Sequence, residues 1–149
     1  MELREVMQKR KSIRQYLTTP VEEEKVKAMI EAAILAPTWK NAQEIRYYVA
    51  VSEEKRQAVL DALGEGNRKK TQNAPVFLIS AVILNRAGFQ KDGSADNELG
   101  NGWGCYDLGL QNENLILKAT DLGLSTLIMG LREADRLREI LNIPETETI

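Results

Sequence analysis

Apolar positions fall into separated groups along this chain, and their spacing predicts its elements. Leu3, Val6 and Met7 stand at helical spacing, so a short helix is expected over residues 3–10. Val26, Met29, Ile30, Ala33 and Ile34 form a second helical stripe that Pro37 stops. Thr19 suits its N-cap, Pro20 its first position and Glu22 its capping box, and Glu22, Glu23 and Glu24 put negative charge at its positive end. Ile45 to Val51 reads as a strand, rich in β-branched and aromatic residues. Ser52 can cap a third helix carrying Val59, Leu60 and Leu63, with Gly64 as its stop. After the polar stretch Glu65–Asn73, the apolar run Val76–Leu84 predicts a strand buried on both faces. Residues 85–102 read as a long loop. A long helix over Gly104–Leu122, a strand at Ser125–Met129 and a helix at Glu133–Leu141 complete the pattern. Helices and strands alternate, which predicts an α/β or α+β class with a central sheet covered by helices.

Length and composition narrow the picture. With 149 residues and no repeat, linker or low-complexity tract, one domain over residues 1–149 is expected, burying roughly two-thirds of its unfolded surface. The 43% hydrophobic and 28% charged fractions exclude general disorder and collagen-like structure. No apolar run approaches the ~18–20 residues of a membrane helix, and MELREVMQKRK lacks a signal-peptide core. A single Cys allows neither an intramolecular disulfide nor a cysteine-rich zinc site, so a cytoplasmic setting is expected. There is no His, which excludes histidine triads, histidine general bases and His-rich metal sites. A net charge of −2 argues against a general nucleic-acid binder.

Three segments could carry chemistry. In an extended chain Arg10, Ser12 and Arg14 share a side, giving two guanidinium forks around a hydroxyl, an arrangement suited to a phosphate and a polyol. A solvated basic turn is the plainer reading. Between the stop at Pro37 and the next strand, Thr38, Asn41 and Gln43 offer donors and acceptors, and Trp39 a flat apolar wall. These polar groups could equally satisfy the backbone of a helix-to-strand connection. The third segment, Gly123–Gly130, is a strand ending in Gly, which lets a planar ligand approach the backbone; an ordinary turn pattern reads as well. Other features carry less. Gly64-Glu65-Gly66 lacks the third Gly of a dinucleotide fingerprint, and no P-loop is present. Gly100, Gly102 and Gly104 read as a flexible loop, and Cys105 as a small core or interface residue. Asp96 and Glu98 make a weak cation signal, so no metal site is expected.

Taken jointly, RKSIRQY at 10–16, AAILAPTWKNAQ at 32–43 and NENLILKATDLGLSTLIMG at 112–130 resemble the flavin-dependent nitroreductase family. NRKKTQNAPVFLI at 67–79 and LREILNIPE at 137–145 follow in the family's order. The resemblance implies an α+β fold with a central mixed sheet covered by helices, and FMN at the interface of an intertwined homodimer. It implies an oxidoreductase passing two electrons from NADH or NADPH through flavin N5 to a nitroaromatic, a quinone or a similar acceptor. A flavin store or redox sensor without turnover is the alternative. Carried over by position, Arg10, Ser12 and Arg14 would hold the phosphate and ribityl chain, with Lys11 also at the flavin. Pro37, Thr38, Trp39 and Asn41 would line the isoalloxazine ring from the partner subunit, with Gln43 nearby. Asn67 would sit at the pyrimidine edge, and the backbone of Met129 and Gly130 at N5. No catalytic side chain is required, because the cofactor carries the electrons. Relatives usually continue past Ile143-Pro144-Glu145 with a further strand and a basic extension, whereas this sequence ends at Ile149. Either this sequence is a shortened piece, or Arg10 and Arg14 carry more of the phosphate. Trp39 and Lys40 stand where small polar residues are common, which would narrow the acceptor slot.

Overall fold

Phe77–Ile83 (β2) is the middle strand of a three-stranded sheet in the computed structural model, which describes residues Met1–Ile149. On one side it pairs antiparallel with Ile45–Ala50 (β1), from Ile45 opposite Val82 to Ala50 opposite Phe77. On the other it meets only Glu147–Thr148 (β3), again antiparallel, through Val82 and Ile83. The sheet is thus antiparallel, not mixed; the parallel pairing in the chain is one isolated bridge between Ser12 and Thr126. The expected strand at Ser125–Met129 does not form a ladder. Its residues are anchored at that bridge, and between Leu124–Gly130 and the Phe77–Ser80 stretch of β2 lies an apolar cavity of about 810 Å³. Without a neighbour at hydrogen-bonding distance, strand propensity alone makes no strand.

Helices surround this sheet. Leu3–Lys9 (α1) and Glu23–Ala33 (α2) precede it, Glu53–Asp61 (α3) and Glu65–Thr71 (α4) join β1 to β2, and Gly102–Asp121 (α5) and Ala134–Leu141 (α6) follow. Ser52 caps α3 as expected, accepting from the Lys55 N–H at 3.3 Å. The other caps differ. Glu22, not Thr19, is the N-cap of α2, and its carbonyl takes the Lys25 and Val26 amides. Gly64 does not end a helix but opens α4, a helix the polar stretch 65–73 conceals because Thr71 is its one buried residue. Cys105 lies exposed on α5, outside the core.

Two apolar clusters hold the elements together. One joins Ala50, Val59, Leu60, Leu63, Phe77 and Leu137 with their neighbours beneath α3 and α6. The other locks α2 to α5 through Met29, Ala33, Leu115, Ile116 and Ala119. The half of the predicted α2 stripe that reaches α5 is buried, while Ile34 is exposed. Gly104 lets α5 approach β2 so closely that a Cβ there would collide with Val82 Cγ1. No helix is long and apolar enough to cross a membrane.

Candidate flavin site

The segment after α1 is extended and pinned. Ile13 N–H donates to Thr126 O at 3.1 Å, and the Tyr16 hydroxyl donates to Ile13 O at 2.7 Å. Arg14 turns back to donate to Ser12 O at 3.2 Å. No ion pair of the chain engages Arg10, Lys11 or Arg14. Arg10, Lys11 and Arg14 thus carry no ion pair, and the Ser12 residue between them is exposed.

From the Ser12–Thr126 bridge the chain runs to Leu131, whose carbonyl receives Gly64 N–H at 3.1 Å and Asn67 Nδ2 at 3.2 Å. One amide hydrogen of Asn67 is thus spent on the backbone, leaving its other donor and its oxygen. Met129 packs its side chain on the cluster of Ala50, Leu63 and Phe77. The Met129 and Gly130 N–H groups donate to nothing in the chain, and a Cβ at Gly130 would meet open space. Gly130 is exposed, so its N–H is open to water or to a ligand. The structure thus joins residues 12–13 to the start of the Thr126–Leu131 segment and Asn67 to its end.

Pro37–Gln43 is elsewhere. It leads into the first residue of β1, and none of its hydrogen bonds reaches residues 10–14, 67 or 129–130. Trp39–Asn41 forms a single 3₁₀ turn, and Lys40, Asn41 and Gln43 all adopt the left-handed region, at φ 46°, 55° and 51°. Asn tolerates this conformation; Lys and Gln are strained in it. The strain is over-determined by bonds. Trp39 N–H donates to Asp107 Oδ2 at 2.6 Å, Trp39 Nε1 to Asp96 Oδ2 at 3.1 Å, and Gln43 N–H to Thr38 Oγ1 at 3.1 Å. Lys40 Nζ bonds both Asp96 oxygens, at 3.0 and 2.8 Å, and this pairing lowers the Asp96 carboxyl below its ordinary range. Gln43 Nε2 donates to Asn41 Oδ1 at 3.3 Å. Aromatic rings extend the wall: Trp39 and Trp103 have centroids 4.3 Å apart, and Tyr106 meets Trp103 edge-on at 5.8 Å.

Beneath this loop lies a polar pocket that the sequence reading missed. Glu44 is fully buried, and Asp107 and Gln111 are 4% exposed each. Burial first, and the neighbouring Asp107 after it, push the Glu44 carboxyl up to about 7. A signal existed: Asp107, Gln111, Leu115 and Ala119 recur every four residues on the buried face of α5, so two polar residues open an otherwise apolar stripe.

Comparisons with known proteins bear on the family and the fold. The family model described as "Nitroreductase family" matches residues 7–149. The FMN reductase [NAD(P)H] of Bacillus subtilis is 28% identical over 144 residues, covering 91% of this chain and 57% of its own. A crystal structure described as "the oxidoreductase containing FMN" is 26% identical, with a TM-score of 0.79 over 96% of this chain and 70% of its own. A nitroreductase family protein from Clostridium novyi NT shares the fold at a TM-score of 0.84 and 24% identity, over 99% of this chain and 80% of that one. The chain spans somewhat more than half the length of the curated relatives it matches, 57% and 58% for the first two.

Proposed function

Because this chain belongs to the nitroreductase family, we propose that it serves an NAD(P)H-dependent oxidoreductase that binds FMN and reduces a nitroaromatic, a quinone or a similar acceptor. FMN when bound supplies the two-electron chemistry, at N5. The residues of this chain supply the rest. Arg10, Lys11 and Arg14 offer charge to the phosphate and Ser12 a hydroxyl to the ribityl chain, while Asn67 keeps an amide hydrogen and oxygen for the pyrimidine edge. The Met129 or Gly130 N–H serves as the donor to oxidised N5, which is an acceptor.

The observation that supports this reading is the open stretch Ser125–Gly130, whose N–H groups donate to nothing in the chain, joined at Thr126 to the segment that carries the unpaired Arg10, Lys11 and Arg14. Such a set fits an anion attached to an acceptor-rich ring. The strained loop Pro37, Thr38, Trp39, Asn41 and Gln43 makes no hydrogen bond to these donors. It therefore completes a site only in a second copy, and a two-fold homodimer would close two equal sites.

Denaturing the purified protein and chromatographing the released pigment tests the cofactor. One FMN per chain is expected; a colourless protein, or FAD in its place, would overturn the reading. Steady-state oxidation of NADH or NADPH with a quinone then separates an enzyme from a flavin store. Light scattering should give twice the 16.8 kDa chain mass for the flavin-loaded protein.

A further inference from the structure

The pocket under the Trp39 loop holds more acceptors than donors. Neither Glu44 oxygen has a hydrogen-bond partner, nor has Gln111 Oε1, and all three are shut off from water. Asp107, on the same wall, spends Oδ2 on the Trp39 N–H. The walls are apolar: Val82 and Gly104 close over the Glu44 side chain, and β2 presents no charged group there. The charged groups facing Glu44 are Asp107 from α5, which repels its anion, and Arg86 from the loop after β2, whose attraction is the smallest influence. Arg86 is itself exposed.

A dry carboxylate with no donor is among the costliest things a fold can hold. Two bare carboxylates side by side cannot bond to each other. A single proton changes that, turning the contact into a donor–acceptor bond and leaving Asp107 free to hold Trp39 with its other oxygen.

We propose that Glu44 is a positioning residue: it carries a proton, donates it in a hydrogen bond to Asp107, and so fixes the carboxylate that holds the strained Trp39 loop in place. The chain of contacts is Glu44 Oε–H to Asp107, and Asp107 Oδ2 from Trp39 N–H. Glu44 touches no part of the proposed cofactor site and acts through the loop. When the proton leaves, two like charges share one pocket, Asp107 is displaced, and the left-handed turn at Lys40, Asn41 and Gln43 loses its anchor. The loop is ordered in the protonated form and relaxes in the ionised one. What the loop does for an acceptor rests on the function proposed above; the latch itself does not, and its test needs no turnover.

Both Trp residues of the chain, Trp39 and Trp103, stack at this loop, so tryptophan fluorescence and near-ultraviolet CD of the protein as purified report on it. The expected result is a one-proton transition in the neutral range. In Glu44→Gln, which keeps a hydrogen-bond donor but cannot ionise, the transition should vanish and the low-pH signal persist throughout. A flat wild-type signal across that range, or a Glu44→Gln variant that titrates like wild type, would overturn the proposal. Infrared difference spectroscopy of the unmodified protein covers the case in which the variant fails to fold. A carboxylic-acid C=O band that is present at low pH and bleaches through the same transition is expected; its absence at low pH sinks the idea. Loss of NAD(P)H oxidation with the latch signals intact would count against the proposed function alone.

Discussion

At the N-terminal end of α5 the chain ties down its own polar groups, whereas beyond the C-terminal end it leaves them open. Asp107 and Asp96 bind the Trp39 loop with bonds of 2.6–3.1 Å and hold three residues at positive φ. Past Gly123, by contrast, the segment has one bridge to Ser12, no N–H from Ser125 to Gly130 donates within the chain, and the cations on the Ser12 side have no counter-ions. The first region is organised before any ligand arrives. The second leaves its donors to water or to a ligand. The tied loop and the open segment thus lie at opposite ends of one helix.

The two ends also titrate in opposite directions, which gives the largest test of the contrast. Near the end of α5, Asp121 bonds the Met1 ammonium at 2.8 Å and Lys118, and these hold its carboxyl down to about 2. Its contribution is present at neutral pH and lost only as pH falls through that value. Glu44 runs the other way. Raised from 4.5 to about 7 by burial, it binds its proton more tightly in the folded state, so its contribution is complete at about pH 4.5 and drains away up to about pH 7. The shift corresponds to about 3 kcal/mol. Denaturant unfolding of wild type and Glu44→Gln at pH 5, 6, 7 and 8 should show that slope in wild type and not in the variant; equal slopes would refute it.

Next in size are effects on the open end. Arg14→Ala is expected to weaken FMN binding by ~1.5–3 kcal/mol by removing charge-assisted bonds to phosphate. Arg14→Lys should restore only part, since a point charge cannot replace the fork. Riboflavin is the control: an equal loss for riboflavin and FMN would show that Arg14 does not serve the phosphate. At Met129 the backbone, not the side chain, is the proposed donor. Met129→Ala should leave flavin affinity nearly unchanged, apart from lost packing. Met129→Pro removes the N–H and should cost ~1–3 kcal/mol and shift the flavin potential. A folded Pro variant with normal flavin properties would assign the role to Gly130 or to neither.

How much of this was legible beforehand divides along the same line. The open end could be read because its signals are local: Arg10, Ser12 and Arg14 alternate in an extended segment, and Gly123 marks the end of a long apolar stripe. The Trp39 loop could be found but not explained. Its anchors Asp96 and Asp107 are 57 and 68 residues away from Trp39, and no spacing rule connects them. The Ser125–Met129 error has the same root, since a strand exists only with a neighbour and the neighbour is not encoded locally. α4 was hidden because a seven-residue helix burying only Thr71 leaves no apolar stripe. The mixed sheet was inherited from the resemblance, and the register of β1, β2 and β3 replaces it with an antiparallel one.

The smallest expected effect probes the tied end alone, through Lys40. Two contributions oppose each other there. Its ion pair with Asp96 at 2.8 Å involves a lysine that is 63% exposed, so screening limits its worth to well under 1 kcal/mol. Its φ of 46° costs a side chain with a Cβ about 1 kcal/mol relative to Gly. Lys40→Ala loses the ion pair and keeps the strain, so it should destabilise by a few tenths of a kcal/mol. Lys40→Gly loses the same ion pair but relieves the strain, so it should be more stable than Lys40→Ala by about 1 kcal/mol and close to wild type. The comparison between the two variants cancels the ion pair and isolates the backbone, and urea unfolding at one pH is sufficient to read it. If Lys40→Gly is no more stable than Lys40→Ala, the turn is not strained at Lys40. The loop would then owe its shape to Asp107 and Asp96 acting on a relaxed chain, and the contrast between the two ends of α5 would rest on hydrogen bonds alone.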